Sequence, residues 1–146
     1  FLTEDGPVYQ IAKSATDASY PEKISYDKED ILVVIEGLSM YLKEADILQM
    51  FSVIEKNFPK ATVFIETMSP FFAKHIKEKS IEGSQAKFVW GIKNGKALQE
   101  LIPAFTYKKE VSLVEGMKKM MPIYHVLGKI PAVRNISNKI IVMEKN

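Results

Sequence analysis

Two uninterrupted runs of aliphatic residues, at 31–35 and 61–65, are the strongest pattern along the chain. Neither run alternates between apolar and polar side chains, which predicts strands buried on both faces, as in a parallel sheet covered by helices. Between them, apolar side chains recur at helical intervals over residues 44–57, and Asn57 followed by Pro59 is typical of a helix end. A strand, a helix and a second strand in this order predict a βαβ unit with two parallel, neighbouring strands.

Shorter elements are expected on either side of this unit from local pattern and turn residues. They are a strand at 8–12, a polar loop at 13–23, a helix from Ser69 to about Ser80, a short helix from Gly95 to Leu101, and two late strands within 105–116 and 138–145. A methionine-rich stretch at 117–133 separates the late strands. Their position after the βαβ unit predicts an antiparallel, hairpin-like addition to the sheet.

Both apolar strands end in an acidic residue, since Glu36 follows the first and Glu66 follows the second. The carboxyl ends of parallel strands meet at the edge where open α/β sheets bind ligands, so the two carboxylates are expected side by side. Gly37 allows a close approach to the backbone at this edge. The pattern predicts a crevice for a polar small molecule, and a plain surface position is the alternative interpretation of Glu36.

Composition restricts the range of partners. The chain has 146 residues, of which 47% are hydrophobic and 26% charged, as expected for one globular domain. The formal net charge is +2 and the lysines are scattered, so nucleic acid is not an expected partner. No apolar stretch approaches the roughly 18 residues of a membrane span, and the absence of cysteine fits a reducing compartment. We therefore expect a soluble, cytoplasmic protein without a membrane partner.

Familiar catalytic motifs are absent from the sequence. Neither His75 nor His125 has a second histidine or an acid at metal-ligand spacing, so no metal site is expected. The sequence contains no GxSxG elbow and no Walker-type phosphate loop. The segment GIKNG at 91–95 predicts a turn and does not match a dinucleotide-binding motif. Hydrolase and NTPase functions are therefore disfavoured.

Four segments together resemble a known family. They are IAKSATDASYPEKI at 11–24, VVIEGLSMYL at 33–42, VFIETMSP at 63–70 and KFVWGIKNG at 87–95. In order and approximate spacing, they resemble the carboxyl-terminal portion of the leucine carboxyl methyltransferase family, which includes polyketide O-methyltransferases of the tetracenomycin type. The resemblance covers nearly the whole chain, and its combination of S-x-x-D, EG-x-x-MYL and WGI-x-x-G is fairly specific.

This resemblance implies a class I methyltransferase fold and S-adenosylmethionine as cofactor. The fold is an α/β, Rossmann-like sheet that is mostly parallel with an antiparallel final strand. By the same resemblance, Asp17 would read the adenine amino group, with Ala18 beside it. Glu36 and Gly37 would form the rim of the cofactor crevice, and Tyr41, the candidate catalytic residue, would line the methyl-transfer pocket. The methyl acceptor would be a carboxylate or a hydroxyl of a small molecule or a peptide terminus.

The family also carries segments that residues 1–146 lack, namely a glycine-rich turn after a first strand and a ribose-binding acid after a second. We therefore expect a single, incomplete methyltransferase domain that is inactive alone. In the family's strand order, the strand at 31–35 becomes an open apolar edge, and such edges recruit other strands. The expected partner, besides a small-molecule substrate, is a second copy or a missing amino-terminal segment. The alternatives are a non-catalytic α/β module that self-associates without cofactor, and a small-ligand sensor.

Overall fold

A computed structural model of the chain describes residues 8–25, 27–75, 87–114, 116, 129–130 and 137–146. Its helices and strands, in chain order, are β1 (Asp30–Ile35), α1 (Glu44–Asn57), β2 (Lys60–Thr67), α2 (Pro70–His75), α3 (Gly95–Leu101), β3 (Phe105–Ser112) and β4 (Lys139–Lys145). Two short 3-10 helices lie at Tyr20–Lys23 and Ser39–Tyr41. Within these ranges, no helix combines the length and the apolarity that crossing a membrane requires. The expected helix end near Ser80 and most of the methionine-rich stretch, with His125, lie outside the described residues.

The strands of the described residues form one four-stranded sheet in the order β1-β2-β4-β3. β1 and β2 are parallel and connected by α1, so the predicted βαβ unit is confirmed. The final strand β4 lies between β2 and β3 and is antiparallel to both, as predicted for its direction. Two of the three pairings are therefore antiparallel, and the expectation of a mostly parallel sheet is wrong for the described residues. The physical reason is that β4 inserts between two strands that share one direction, so both of its ladders are antiparallel.

The face of the sheet that packs against α1 and α3 carries the hydrophobic core. Phe51 of α1 meets Phe105 of β3 edge to face, with ring centroids 5.1 Å apart. Other fully buried side chains of this cluster are Ile47, Ile54, Val63, Ile65, Leu98, Ile141 and Met143. Ile35, the last residue of β1, joins the same cluster and is buried. The core therefore fixes the carboxyl end of β1 relative to α1 and β2.

The opposite face of β1 is open, which corrects the prediction of strands buried on both faces. Leu32 and Val34 are 63% and 62% exposed, whereas Ile35 on the core face is 6% exposed. In β2, the residues on the core face are buried and those on the open face are half-buried. Among the described residues, β1 is therefore covered on its core face only. The apolar side chains on its other face form an exposed apolar surface.

The predicted strand at 8–12 is also wrong, because the structure has no strand there. Val8 and Tyr9 are 58% and 61% exposed. A strand needs a neighbour for its backbone hydrogen bonds, and a cleft separates Ile11 from β1. The predicted loop that follows is confirmed except for the short 3-10 helix Tyr20–Lys23.

Candidate functional site

A cleft of about 330 Å³ lies between residues 11–20 and the carboxyl end of β1. Its walls come from three parts of the chain: the segment 11–20, β1 with Glu36 and Leu38, and the core side of α1. Its volume falls within the range of roughly 300–1,000 Å³ that is usual for small-molecule sites. A second cleft of about 270 Å³ lies between α1 and the junction of α3 with β3.

The first cleft combines apolar walls with a few polar groups at its lining. Ala15, Leu38 and Met50 provide apolar surface, whereas Lys13 and Glu36 bring one positive and one negative charge. Ser14 and Tyr20 add hydroxyl groups to the same lining. Burial raises the pKa of the Tyr20 hydroxyl above its ordinary value. The cleft therefore suits an organic ligand that carries both apolar and charged parts.

The turn after β1 has a backbone conformation that favours glycine. Gly37 has a φ of 61°, in the left-handed region, and its N–H donates a hydrogen bond of 2.9 Å to Oε2 of Glu66. A Cβ at this position would have no neighbouring atom within 4 Å. The backbone angle, and not the close approach expected from the sequence, is therefore what requires glycine here.

Glu36 and Glu66 follow paired positions of two parallel strands, yet their carboxylates have different surroundings. Oε1 of Glu66 accepts a hydrogen bond of 2.8 Å from Nδ2 of Asn138, while Oε2 accepts the one from Gly37. The backbone carbonyl of Glu66 accepts a further bond of 2.5 Å from Oγ of Ser39. We call Glu66, Gly37, Ser39 and Asn138 the Glu66 clamp. Within the described ranges, the Glu36 carboxylate has no such partner and lines the cleft.

Asp17 orders the loop that forms one wall of the cleft. Its Oδ1 accepts hydrogen bonds from the backbone N–H and the hydroxyl of Ser19, at 2.8 and 2.6 Å. Its Oδ2 accepts one from Nζ of Lys13 at 3.0 Å. These bonds, chiefly those from Ser19, lower the pKa of Asp17 to about 2. Neither Asp17 nor Ala18 lines the cleft, so an adenine amino group would have to join or replace the donors already present.

Tyr41 is placed away from the cleft lining. Its ring packs against Phe88 with centroids 5.3 Å apart. The carbonyl of the preceding Met40 accepts hydrogen bonds from the N–H groups of Val89 and Trp90, at 2.8 and 3.3 Å. Residues 88–90 are held by these bonds and form no strand. The EG-x-x-MYL block therefore contributes two residues, Glu36 and Leu38, to the cleft wall, and the carbonyl of its Met40 anchors the loop at 88–90.

The first glycine of the WGI-x-x-G block, Gly91, is required by close backbone packing. A Cβ on Gly91 would lie 2.8 Å from backbone atoms of Met68 and Ser69, and the N–H of Ile92 donates to the carbonyl of Met68 at 2.8 Å. Asn94 caps α3, because its Oδ1 accepts a hydrogen bond from the N–H of Ala97. The segment packs against the backbone that follows β2 and leads into α3.

Several lining residues were not singled out by their sequence pattern. They are Lys13, Ser14, Ala15, Tyr20, Leu38 and Met50. Ser14 and Ala15 stand inside the S-x-x-D block and Leu38 stands inside the EG-x-x-MYL block, so these motifs are a usable signal for part of the wall. No sequence motif identifies the other lining residues, because only the packing of the 11–20 segment against β1 and α1 brings them together.

The comparisons with known proteins give one related enzyme. The chain is 31% identical, over 88 residues, to the tetracenomycin polyketide synthesis O-methyltransferase TcmP of Streptomyces glaucescens, and this match covers 58% of the chain and 32% of that protein. The matched part is thus about a third of the length of this curated relative. No family description matches the chain, and no solved structure matches it at a significant level. The similarity supports a relationship to a methyltransferase at the coarse level.

Proposed function

We propose that the chain is part of an O-methyltransferase that uses S-adenosylmethionine, and that the cleft beside β1 binds this cofactor. One observation carries the proposal: Ser14 of the S-x-x-D block and Glu36 of the EG-x-x-MYL block, far apart in sequence, line a single cleft. These blocks are the ones by which the sequence resembles the leucine carboxyl methyltransferase family. The similarity to an O-methyltransferase supports the same reaction class.

The chemistry of the lining fits a ligand with a purine and a cationic sulfonium group. Ala15, Leu38 and Met50 offer apolar surface for a ring system. Glu36 offers a carboxylate without a protein donor among the described residues, and a cationic ligand gains from such a group in a partly desolvated cleft. Asp17 remains our candidate for the adenine amino group, with Ala18 beside it and Gly37 at the opposite rim.

The bound cofactor supplies a methyl group, whose bond to the sulfonium sulfur breaks as a bond to an acceptor oxygen forms and a neutral thioether leaves. The protein's part is to align the two reactants, which supplies most of the help in such a displacement. A carboxylate acceptor is already a nucleophile, whereas a hydroxyl acceptor has to lose a proton to a base. We propose a small molecule of the polyketide type or a peptide terminus as acceptor, Tyr41 as a residue of the acceptor side, and the cytoplasm as the location.

Isothermal titration of the full chain with S-adenosylmethionine tests the proposal. We expect a Kd of tens of micromolar or tighter, about −6 kcal/mol. Glu36→Gln removes the charge at the rim and should weaken binding about fivefold, or about 1 kcal/mol. Glu29→Gln makes the same change at the other end of β1 and serves as the control with unchanged affinity. A wild-type chain that releases no heat and shows no binding would overturn the proposal.

A second candidate function, a self-associating module, is favoured by the contrast between the two sheet edges. The β3 edge carries Lys108 and Lys109 and a bulge between Tyr107 and Lys109, which are features that discourage strand addition. The β1 edge presents Leu32 and Val34, both more than 60% exposed. After Asp30, the residues of β1 are all apolar and its ladder with β2 has no bulge, which makes this edge a template for a further strand, and we propose β1 of a second copy as that strand.

Sedimentation velocity separates this candidate from the first. Leu32→Lys should convert a self-associated chain into a monomer, whereas Val111→Lys on the β3 edge should leave association unchanged. A strand added at β1 would cover the cleft, so S-adenosylmethionine should dissociate the assembly if both proposals hold. A wild-type monomer at all concentrations would refute the association module and leave the methyltransferase proposal in place.

A further inference from the structure

We propose that Glu66 is a positioning residue for the cleft, whose carboxylate fixes the left-handed turn at Gly37 and ties it, through Asn138, to the connection between β3 and β4. This inference rests on the proposed function of the cleft and adds a residue that does not line it. It follows from the geometry of the Glu66 clamp.

The clamp holds the backbone directly after Glu36. Glycine has the widest choice of backbone conformations, so the turn at Gly37 needs an external contact to select one of them. The bond of 2.9 Å from the Gly37 N–H to Glu66 supplies this contact, and the Ser39 hydroxyl holds the next turn to the carbonyl of the same residue. Ser39 is fully buried, so its bond is shielded from water. The orientation of Glu36 and Leu38 in the cleft therefore depends on Glu66.

A carboxylate is the group that this position requires. Both of its partners are donors, namely the N–H of Gly37 and the side-chain amide of Asn138. A glutamine in place of Glu66 has only one acceptor oxygen, and its NH₂ group would face the remaining donor. One of the two bonds would be lost, which removes either the hold on the turn or the link to Asn138.

Asn138 connects the clamp to the segment between β3 and β4. Its carbonyl accepts a hydrogen bond of 2.9 Å from the N–H of Leu113, and the hydroxyls of Ser112 and Ser137 lie 2.7 Å apart. The two ends of this connection are therefore tied together, and the side chain of Asn138 reaches from them to Glu66. The turn at Gly37 is therefore linked, through Glu66 and Asn138, to the paired ends of β3 and β4.

The test exchanges the acceptor and donor roles inside the clamp. Glu66→Gln should weaken binding of S-adenosylmethionine about tenfold. In the double variant Glu66→Gln with Asn138→Asp, the introduced glutamine accepts from Gly37 and donates to the introduced aspartate, so binding should return to within about twofold of wild type. Glu144→Gln, at the far end of β4, removes an equal charge from an exposed ion pair and should change nothing.

A second readout does not need the cofactor. Hydrogen exchange of the Gly37 amide, followed by NMR in the free chain, should be faster in Glu66→Gln and slow again in the double variant. If the wild-type chain binds no S-adenosylmethionine, the proposed function fails while this exchange still tests the clamp. Unchanged Gly37 exchange in Glu66→Gln, or a double variant that exchanges as fast as the single one, would overturn the positioning role.

Discussion

The backbone N–H of Gly37 donates a hydrogen bond of 2.9 Å to the carboxylate of Glu66, which lies 29 positions later in the chain. This bond joins the turn after β1 to the last part of the neighbouring strand β2. The two acids have different surroundings: Glu66, inside the last part of β2, accepts hydrogen bonds from protein donors, while Glu36, directly after β1, lines the cleft. The bond to Glu66 thus holds the backbone of Gly37 directly after Glu36, at the edge of the cleft.

The positive φ of Gly37 predicts a measurable cost for a side chain there. Gly37→Ala should lower the free energy of unfolding by about 1–2 kcal/mol, because an L-residue is strained in the left-handed region. Gly116→Ala is a matched control, since a Cβ there also meets open space but the backbone has no positive φ. Urea denaturation of both variants checks the difference. Equal stability of the two variants would contradict the assigned turn.

Asp17 should remain ionised to unusually low pH. Its pKa in the folded chain is about 2, below the ordinary value of 3.8, because Ser19 and Lys13 donate to the carboxylate. A depressed pKa stabilises the folded loop above pH 3.8, and this contribution disappears as the pH falls from 3.8 to 2. NMR titration of the carboxyl carbon should give a midpoint near 2.

A pair of serine variants isolates the cause of this shift. Ser19→Ala removes the hydroxyl donor and should raise the midpoint of Asp17 toward its ordinary value. Ser14→Ala, in the same loop, leaves the donors of Asp17 intact and should not move it. A midpoint that stays the same in Ser19→Ala would show that the hydroxyl does not hold the carboxylate.

Two ion pairs between β3 and β4 should contribute very differently to the free energy of unfolding. Lys139 and Glu110 are 3.0 Å apart with side chains 10% and 25% exposed, whereas Lys108 and Glu144 are 45% and 47% exposed. Lys139→Met leaves a largely buried acid without its cation and should cost about 2–3 kcal/mol, discounted for the partial exposure of Glu110. Lys108→Met should cost at most about 1 kcal/mol.

Urea unfolding of the two lysine variants measures the loss in the free energy of unfolding for each ion pair. The larger loss is expected for Lys139 also because Glu110 accepts a hydrogen bond from the N–H of Gly95, so the pair links β3 and β4 to the start of α3. A loss for Lys139→Met no larger than that for Lys108→Met would contradict the buried link.

The local pattern of apolar and polar residues is sufficient to predict the βαβ unit and its helix α1. The amphipathic spacing and the end signals at Asn57 and Pro59 predict α1 over 44–57, and the structure has it at Glu44–Asn57. The short helix Gly95–Leu101 and the direction of β4 are also confirmed. These elements follow from contacts between residues that are close in sequence or from the period of the apolar side chains.

The failures share one physical reason, which is that burial depends on neighbours that a local pattern does not specify. The run in β1 has the composition of a strand covered on both faces, but Leu32 lies on a face that none of the described helices covers. The expected strand at 8–12 has no ladder to join. The lining role of Tyr20 and Met50 likewise arises only when two distant segments pack together. The roles of Asp17, Ala18 and Tyr41 toward a ligand stay predictions.

NMR mapping of S-adenosylmethionine on the isotopically labelled chain tests the central claim most directly. We predict that the largest amide shifts fall on Ser14, Ala15, Tyr20 and Leu38, which line the cleft beside β1. Shifts confined to the second cleft, around Leu48 and Phe105, or no shifts at millimolar cofactor, would contradict the account.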